Sequence, residues 1–324
     1  MSSHGTPLPA ELSTLSARNL SDDAATGAAA VGLPVDWHYI AKTAGIYLAL
    51  FVALLPALIG WRITPTAAVV LGVPVLLVFF VDRSAFPSVA WHGLAFLAFT
   101  YLRVFADDTS MPWQAGYVIE LDRVLGLGRN PTELLQTVRG PVLDWIACWT
   151  YISFYFTPFV FALLVWWRKA GLGRYVAAFS LAYALGLCLF YALPTVPPWM
   201  ASAQGLIPPI DRIFMDVMAP EVPQIMEAGY SASANDVAAM PSMHMAMTAL
   251  AALGLALAGR GAAVAAVLYA GAMFLSIIYL GEHYAADAIA GVVLALGAWW
   301  AAGRFVAWWN GTSRAATAAG EPSL

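Results

Sequence analysis

Long apolar runs broken by short polar turns dominate this chain from residue 39 to residue 308. The runs Tyr39–Gly60, Thr66–Val81, Val89–Phe105, Val142–Trp167, Tyr175–Leu193, Met243–Leu257, Ala262–Leu280 and Tyr284–Trp308 are each predominantly hydrophobic. They predict about eight membrane-crossing helices, so the expected fold is an all-α integral membrane helix bundle. The second and sixth runs are short for a hydrocarbon core of ~30 Å. Residues 1–36 are rich in Ala, Ser, Gly and Pro without apolar periodicity, which predicts a flexible tail. A second polar tail is expected over 310–324, leaving 37–309 as the membrane domain.

Two connections are too long to be turns. Ala106–Pro141 scatters Asp107, Asp108, Glu120, Asp122, Arg123, Arg129 and Arg139 among apolar residues, the pattern of one or two short interfacial helices with a solvated acidic face. Pro194–Met240 is acidic, with Arg212 as its only cation. Each connection leads into helices that carry titratable residues, so both are placed to roof a site.

Composition supports the membrane reading. Of 324 residues 61% are hydrophobic and only 10% charged, a balance that requires lipid around most of the surface. A net charge of −4 gives no basic field for nucleic acid. Cys148 and Cys188 both fall inside apolar runs, where they read as small core residues and not as a disulfide or metal framework. The short turns also orient the chain. Arg168, Lys169 and Arg174 cluster in one and Arg260 lies in the next, which predicts those turns inside the cell.

Candidate chemistry is concentrated near the C-terminal end. Pro241-Ser242-Met243-His244 is followed about forty residues later, the length of two apolar helices and their turn, by Ser276 and by Tyr279-Leu280-Gly281-Glu282-His283-Tyr284-Ala285-Ala286-Asp287. Each histidine opens an apolar segment, which predicts both imidazoles at one end of the bundle, opposite the basic turns. On a shared helix face the Asp287 carboxylate would accept the His283 Nδ1 proton and leave Nε2 as a nucleophile. His244 would protonate a departing alkoxide. The Ser242 hydroxyl and the N–H groups of a first helical turn suit an anion. The arrangement fits phosphoryl transfer at a membrane surface facing the periplasm or cell exterior, with no metal or cofactor required; the composition of the tails points to a bacterial inner membrane.

P-S-M-H followed by S-x6-H-Y-x-x-D-x3-G resembles the second and third signatures of the type 2 phosphatidic acid phosphatase superfamily. The resemblance implies a six-helix catalytic core, with His283 as the nucleophile that becomes phosphohistidine, Asp287 as its partner and His244 as the acid. This chain departs from the phosphatase branch in two places. Ile277 follows Ser276 where an arginine is usual, and Leu193-Pro194-Thr195-Val196-Pro197-Pro198-Trp199 stands where a lysine and an Arg-Pro pair are usual. That P-T-x-P-P-W string, with L-G-E-H-Y-x-x-D, resembles the branch of inositol phosphorylceramide synthase, whose members move a phospho-alcohol headgroup between lipids. A lipid-phosphate or isoprenoid-pyrophosphate phosphatase is the nearer alternative, and a non-catalytic lipid-binding or transport relative the farther one. A buried phosphate still needs a cation. Arg103 is the first candidate, followed by Arg123, Arg129 and Arg212. Ser242, Ser276 and Trp199, after its rigid Pro-Pro pair, complete the expected substrate contacts. Trp61, Trp91, Trp299, Trp300, Trp308 and Trp309 read as interfacial belts.

Overall fold

A computed structural model describes residues 85–221, 223 and 237–318. The expected helices Tyr39–Gly60 and Thr66–Val81 and the N-terminal tail lie outside them. Among the described residues the chain is helical without a named strand: α1 (Phe86–Leu102) running into a 3₁₀ turn (Arg103–Asp108), α2 (Gly116–Leu125), α3 (Pro131–Gln136), α4 (Pro141–Ser153), α5 (Thr157–Trp167), α6 (Leu172–Ala192), α7 (Pro198–Ala203), α8 (Ile213–Glu221), α9 (Met243–Ala256), α10 (Arg260–Tyr279) and α11 (Ala285–Ala318). Four of these, α1 with its 3₁₀ extension, α6, α10 and α11, are long and apolar enough to cross a membrane.

The run expected as one helix over Val142–Trp167 is two, α4 and α5, bent by 61°. Pro158 has no N–H to offer the carbonyl of Phe154, and the turn tightens to Phe154 N–H on Tyr151 O (3.3 Å) and Phe156 N–H on Ser153 O (3.0 Å). The Tyr269 hydroxyl of α10 spans the break, 2.7 Å from Ser153 Oγ and 3.1 Å from Thr157 Oγ1. Taken as one bent span, the pair is a fifth candidate crossing. At the other end of the chain, α11 continues to Ala318, past Asn310 where the polar tail is expected to begin.

The short run at Met243 has a physical explanation. With 14 residues, α9 reaches only ~21 Å at 1.5 Å per residue, yet it is buried on every side, packed by α5, α6, α10 and α11. A helix with no lipid-facing side need not match the bilayer. It meets α11 at close range: a Cβ on Gly291 would stand 2.3 Å from the carbonyl oxygen of Ser242. The contact is backbone, so it cannot yield by a rotamer change. Gly291→Ala should therefore destabilise the protein by about 1–3 kcal/mol, the usual range for overpacking, and displace the start of α9; thermal unfolding in detergent checks it.

The two long connections are stitched together by Thr195. Gln114 N–H reaches Pro194 O at 2.8 Å and Val196 N–H reaches Gln114 O at 2.9 Å, while Thr195 N–H bonds Val237 O at 2.6 Å and Ala239 N–H bonds Thr195 O at 3.2 Å. The P-T-x-P-P-W string is thus a crosspiece tying the first connection to the end of the second. At the surface, Arg139 binds Asp144, Asp211 and Asp216 at 3.4, 2.6 and 3.1 Å, and joins the start of α4 to the segment around α8.

Candidate active site

Ser242 is the N-cap of α9, its Oγ accepting the Met245 N–H at 3.3 Å, and this cap sets His244 in the first helical turn. Ser242 N–H in turn donates to Asp287 O at 3.0 Å, so the starts of α9 and α11 are joined by backbone. The hydroxyl expected to contact substrate is a cap, and Ser242 lies outside the cleft described below.

His283 sits in the turn between α10 and α11, and not on a helix face shared with Asp287. Glu282 and His283 both donate their N–H to Ile277 O, at 3.3 and 3.1 Å, closing the end of α10. Gly281 makes the turn possible with φ +77°, and a Cβ there would meet Asp211 O at 2.8 Å. Asp287 is the third residue of α11, where its Oδ2 reaches back to the Tyr284 N–H at 3.0 Å, one half of a capping box.

These constraints bring the two imidazoles together. His283 Nε2 lies 3.0 Å from His244 Nδ1. His283 Nδ1 is 3.1 Å from the carbonyl of Ala239 and 3.5 Å from Asp287 Oδ2. Carbonyl and carboxylate can only accept, so Nδ1 carries the proton and Nε2 its lone pair, and His244 Nδ1–H is the donor between the rings. The carboxylate is thus an electrostatic neighbour, and the shorter bond to Nδ1–H comes from the backbone of the stitched loop. The His244 ring is stacked on Tyr151 (centroids 4.3 Å) and packed by Phe154 (4.0 Å).

A small cleft opens onto both rings. Phe96, Phe99, Thr100 and Arg103 line it from α1 and its extension, Phe154 and Tyr155 from the break between α4 and α5, and Phe190 from α6, with Ala238 and Met243 beside the histidines. Arg103 is the one permanent cation among these described lining residues. The lining thus combines the two imidazoles, Arg103 and Thr100 with phenylalanines, a mixture of polar and apolar walls that suits a phosphorylated amphiphile.

The other expected substrate contacts stand elsewhere. Arg212 is forked onto Glu282 at 2.9 and 3.3 Å and lies 3.8 Å over the Trp199 ring. Trp199 N–H binds Gly281 O at 3.2 Å, so Trp199 and Arg212 brace the turn that carries His283 and do not line the cleft. Ser276 is buried on α10, also away from it. Arg123 pairs with Glu120 at 2.8 Å and Arg129 with Glu133 at 2.9 Å, both at the surface. Trp299, expected at the interface, is buried under the Arg174 guanidinium, 4.3 Å from its ring. Asp122, expected on a solvated face, is buried. The aromatic residues of the helix break and the Ala239 carbonyl were missed from sequence. Thr157-Pro158 inside an apolar run was the available sign of the break.

Comparisons with known proteins agree with the geometry. The sequence model of the PAP2 superfamily, the type 2 phosphatidic acid phosphatases, matches residues 116–301. The chain is 26% identical over 221 residues to an inositol phosphorylceramide synthase of Candida albicans, covering 61% of this chain and 45% of that protein. It is 24% identical over 281 residues to a phosphoinositol dihydroceramide synthase of Bacteroides thetaiotaomicron, covering 78% of this chain and 88% of that one. The chain therefore spans less than half the length of the Candida protein and most of the Bacteroides one. No solved structure matches. The family match extends over more than half of a chain that is helical among the described residues and carries several membrane-length apolar segments: this protein belongs to the PAP2 superfamily.

Proposed function

We propose that this protein is a membrane phosphotransferase that moves an inositol-phosphate-type headgroup from a glycerolipid to a ceramide-type or diacylglycerol acceptor, through a phosphohistidine on His283. The observation that carries the reading is the cleft itself, in which a paired imidazole nucleophile, one arginine and apolar aromatic walls converge. A phosphodiester bears a single negative charge, which one cation can balance, whereas a monoester dianion would call for more. The names of the two relatives support the choice of headgroup and acceptor.

The steps use groups already described. His283 Nε2 attacks phosphorus, and the bond from phosphorus to the diacylglycerol oxygen breaks as His244 gives that oxygen its Nδ1 proton. The ring of the adduct is positive with Nδ1 still protonated, and the Ala239 carbonyl and the Asp287 carboxylate stabilise it. The acceptor hydroxyl then attacks phosphorus, His244 takes its proton, and the bond to Nε2 breaks. The catalytic core comprises six spans, α1, the bent pair α4–α5, α6, α9, α10 and α11, within a chain of about eight. The histidine end faces the periplasm or exterior of a bacterial inner membrane. Supporting this orientation, Arg168, Lys169 and Arg260 lie at the opposite helix ends, whereas Arg123, Arg129 and Arg139 at the histidine end are tied to carboxylates.

Purified protein given headgroup-labelled phosphatidylinositol and ceramide should release diacylglycerol and form a new inositol-phosphoryl lipid. Release of free phosphate from a lipid monophosphate, with no new lipid under any acceptor, would make it a phosphatase. Arg103 is the phosphate-binding cation in this reading. Arg103→Ala should lower kcat/KM about 10- to 100-fold, the scale of a charge-assisted hydrogen bond, and Arg103→Lys should restore part of it as a point charge without the fork; steady-state kinetics on mixed micelles measures both.

A further inference from the structure

On the protein side of His283 lies a second polar cluster. Asp122 on α2 is 1% exposed, and its Oδ1 accepts the Ala286 N–H at 2.8 Å. Ala286 is the second residue of α11, so the start of this helix is held by two carboxylates, Asp287 on Tyr284 N–H and Asp122 on Ala286 N–H. Among the described residues, Asp122 Oδ2, Asp287 Oδ1 and the Tyr284 hydroxyl are buried with no hydrogen-bond partner. The Tyr117 hydroxyl, 2.6 Å from Thr195 Oγ1, also faces Asp287. Val118, Ile119, Val196 and Val237 close the cluster from water.

We propose that Asp122 is a positioning residue of the reaction, holding the first turn of α11, and through it the Asp287 carboxylate and the His283 turn, in the attacking geometry. The proposal rests on the phosphohistidine reading above. A cap alone would be served by serine or asparagine without burying a charge. A carboxylate adds a second property. Burial, and after it the charge of Asp287, pushes Asp122 up to about 6, so it changes charge in the range where cells work. The titratable groups facing it are Asp287 from α11 and Tyr284 from the preceding turn, and Tyr117 from its own helix faces those two. Glu133 on the neighbouring α3 is occupied by Arg129, and Arg123 on α2 by Glu120. Once ionised, Asp122 adds negative charge beside Asp287 and favours the positive ring of the adduct. The rate of adduct formation should therefore rise with pH through about 6.

The test is single-turnover formation of the acid-labile, base-stable protein adduct from phosphorus-labelled phosphatidylinositol, read by rapid quench on the full chain in micelles. Asp122→Ala should slow it at least ~10-fold, with half-saturation changed by less than ~2-fold, the range seen when a supporting partner of a reactive group is removed. Asp122→Asn keeps an acceptor oxygen for Ala286. It should come within ~3-fold of wild type below the inflection and lack the rise above it. A carboxyl whose folded value lies above 3.8, at about 6, loses stability as pH rises between the two. Asp122→Asn removes that loss and should melt no lower than wild type at neutral pH, so it decides the matter even if Asp122→Ala does not fold. Unchanged pH dependence in Asp122→Asn, or a wild-type rate in Asp122→Ala, overturns the assignment. Lipid products without any adduct in wild type overturn the covalent reading and the role of Asp122 with it, an outcome distinct from the first two.

Discussion

Alanine at position 283 should abolish turnover, with a loss on the order of 10⁶-fold, the scale on which removing an attacking side chain acts. Among the described residues, His283 alone presents an imidazole nitrogen whose lone pair is fixed toward the cleft, because its other nitrogen is committed to Ala239 O at 3.1 Å with Asp287 at 3.5 Å. Position 283 lies in a turn closed by backbone bonds to Ile277, so alanine there removes the ring and leaves those bonds in place. The measurement is lipid turnover together with adduct trapping. Both should vanish while the melting temperature changes little. Residual turnover without an adduct would mean direct transfer between lipids, with His283 as a binding group.

His244→Ala should reduce kcat by about 10²- to 10⁴-fold, the range for general acid–base assistance. At rest His244 Nδ1–H points at His283 Nε2 from 3.0 Å, where the phosphorus must come, so substrate has to enter between the rings. The same proton is then turned toward the leaving oxygen. A diester analogue with a p-nitrophenol leaving group needs no proton, so the variant should act on it within a few-fold of wild type while remaining slow on the natural lipid. Equal losses on both substrates would assign His244 a role other than leaving-group protonation. Because the ring fills a slot between Tyr151 and Phe154, His244→Asn, which leaves a smaller void, is the control for packing.

The histidine motifs were legible for a physical reason. A titratable group at the mouth of an apolar helix is costly to place there, so it stands out against its surroundings, and helix parity carries His244 and His283 to one end of the bundle. Apolar run lengths likewise gave the long described helices, the bent pair aside, to within a few residues at most ends. The same reading failed where identity depends on a partner distant in sequence. Ser242 and Ser276 looked like ligands because hydroxyls near a motif often are, yet one caps α9 and the other is buried on α10. Arg212 looked available as the only cation of its segment, but it is paired with Glu282, 70 residues away. Asp122 looked solvated because its neighbours Glu120 and Arg123 are, whereas its own side chain points inward to the start of α11.

Hydrophobicity is a local property, so the chain alone specifies a membrane bundle, the rough extent of its helices, and a pair of histidines and a carboxylate at one end of it. Everything that depends on separation in space was settled by packing. The break at Phe154–Phe156 delivers two residues to the cleft, the Thr195 crosspiece brings Ala239 to His283, and the approach of Gly291 to Ser242 fixes the distance between the two motif helices. Which arginine lines the cleft follows in the same way. Four were equal in charge, and Arg103 differs only in where α1 ends.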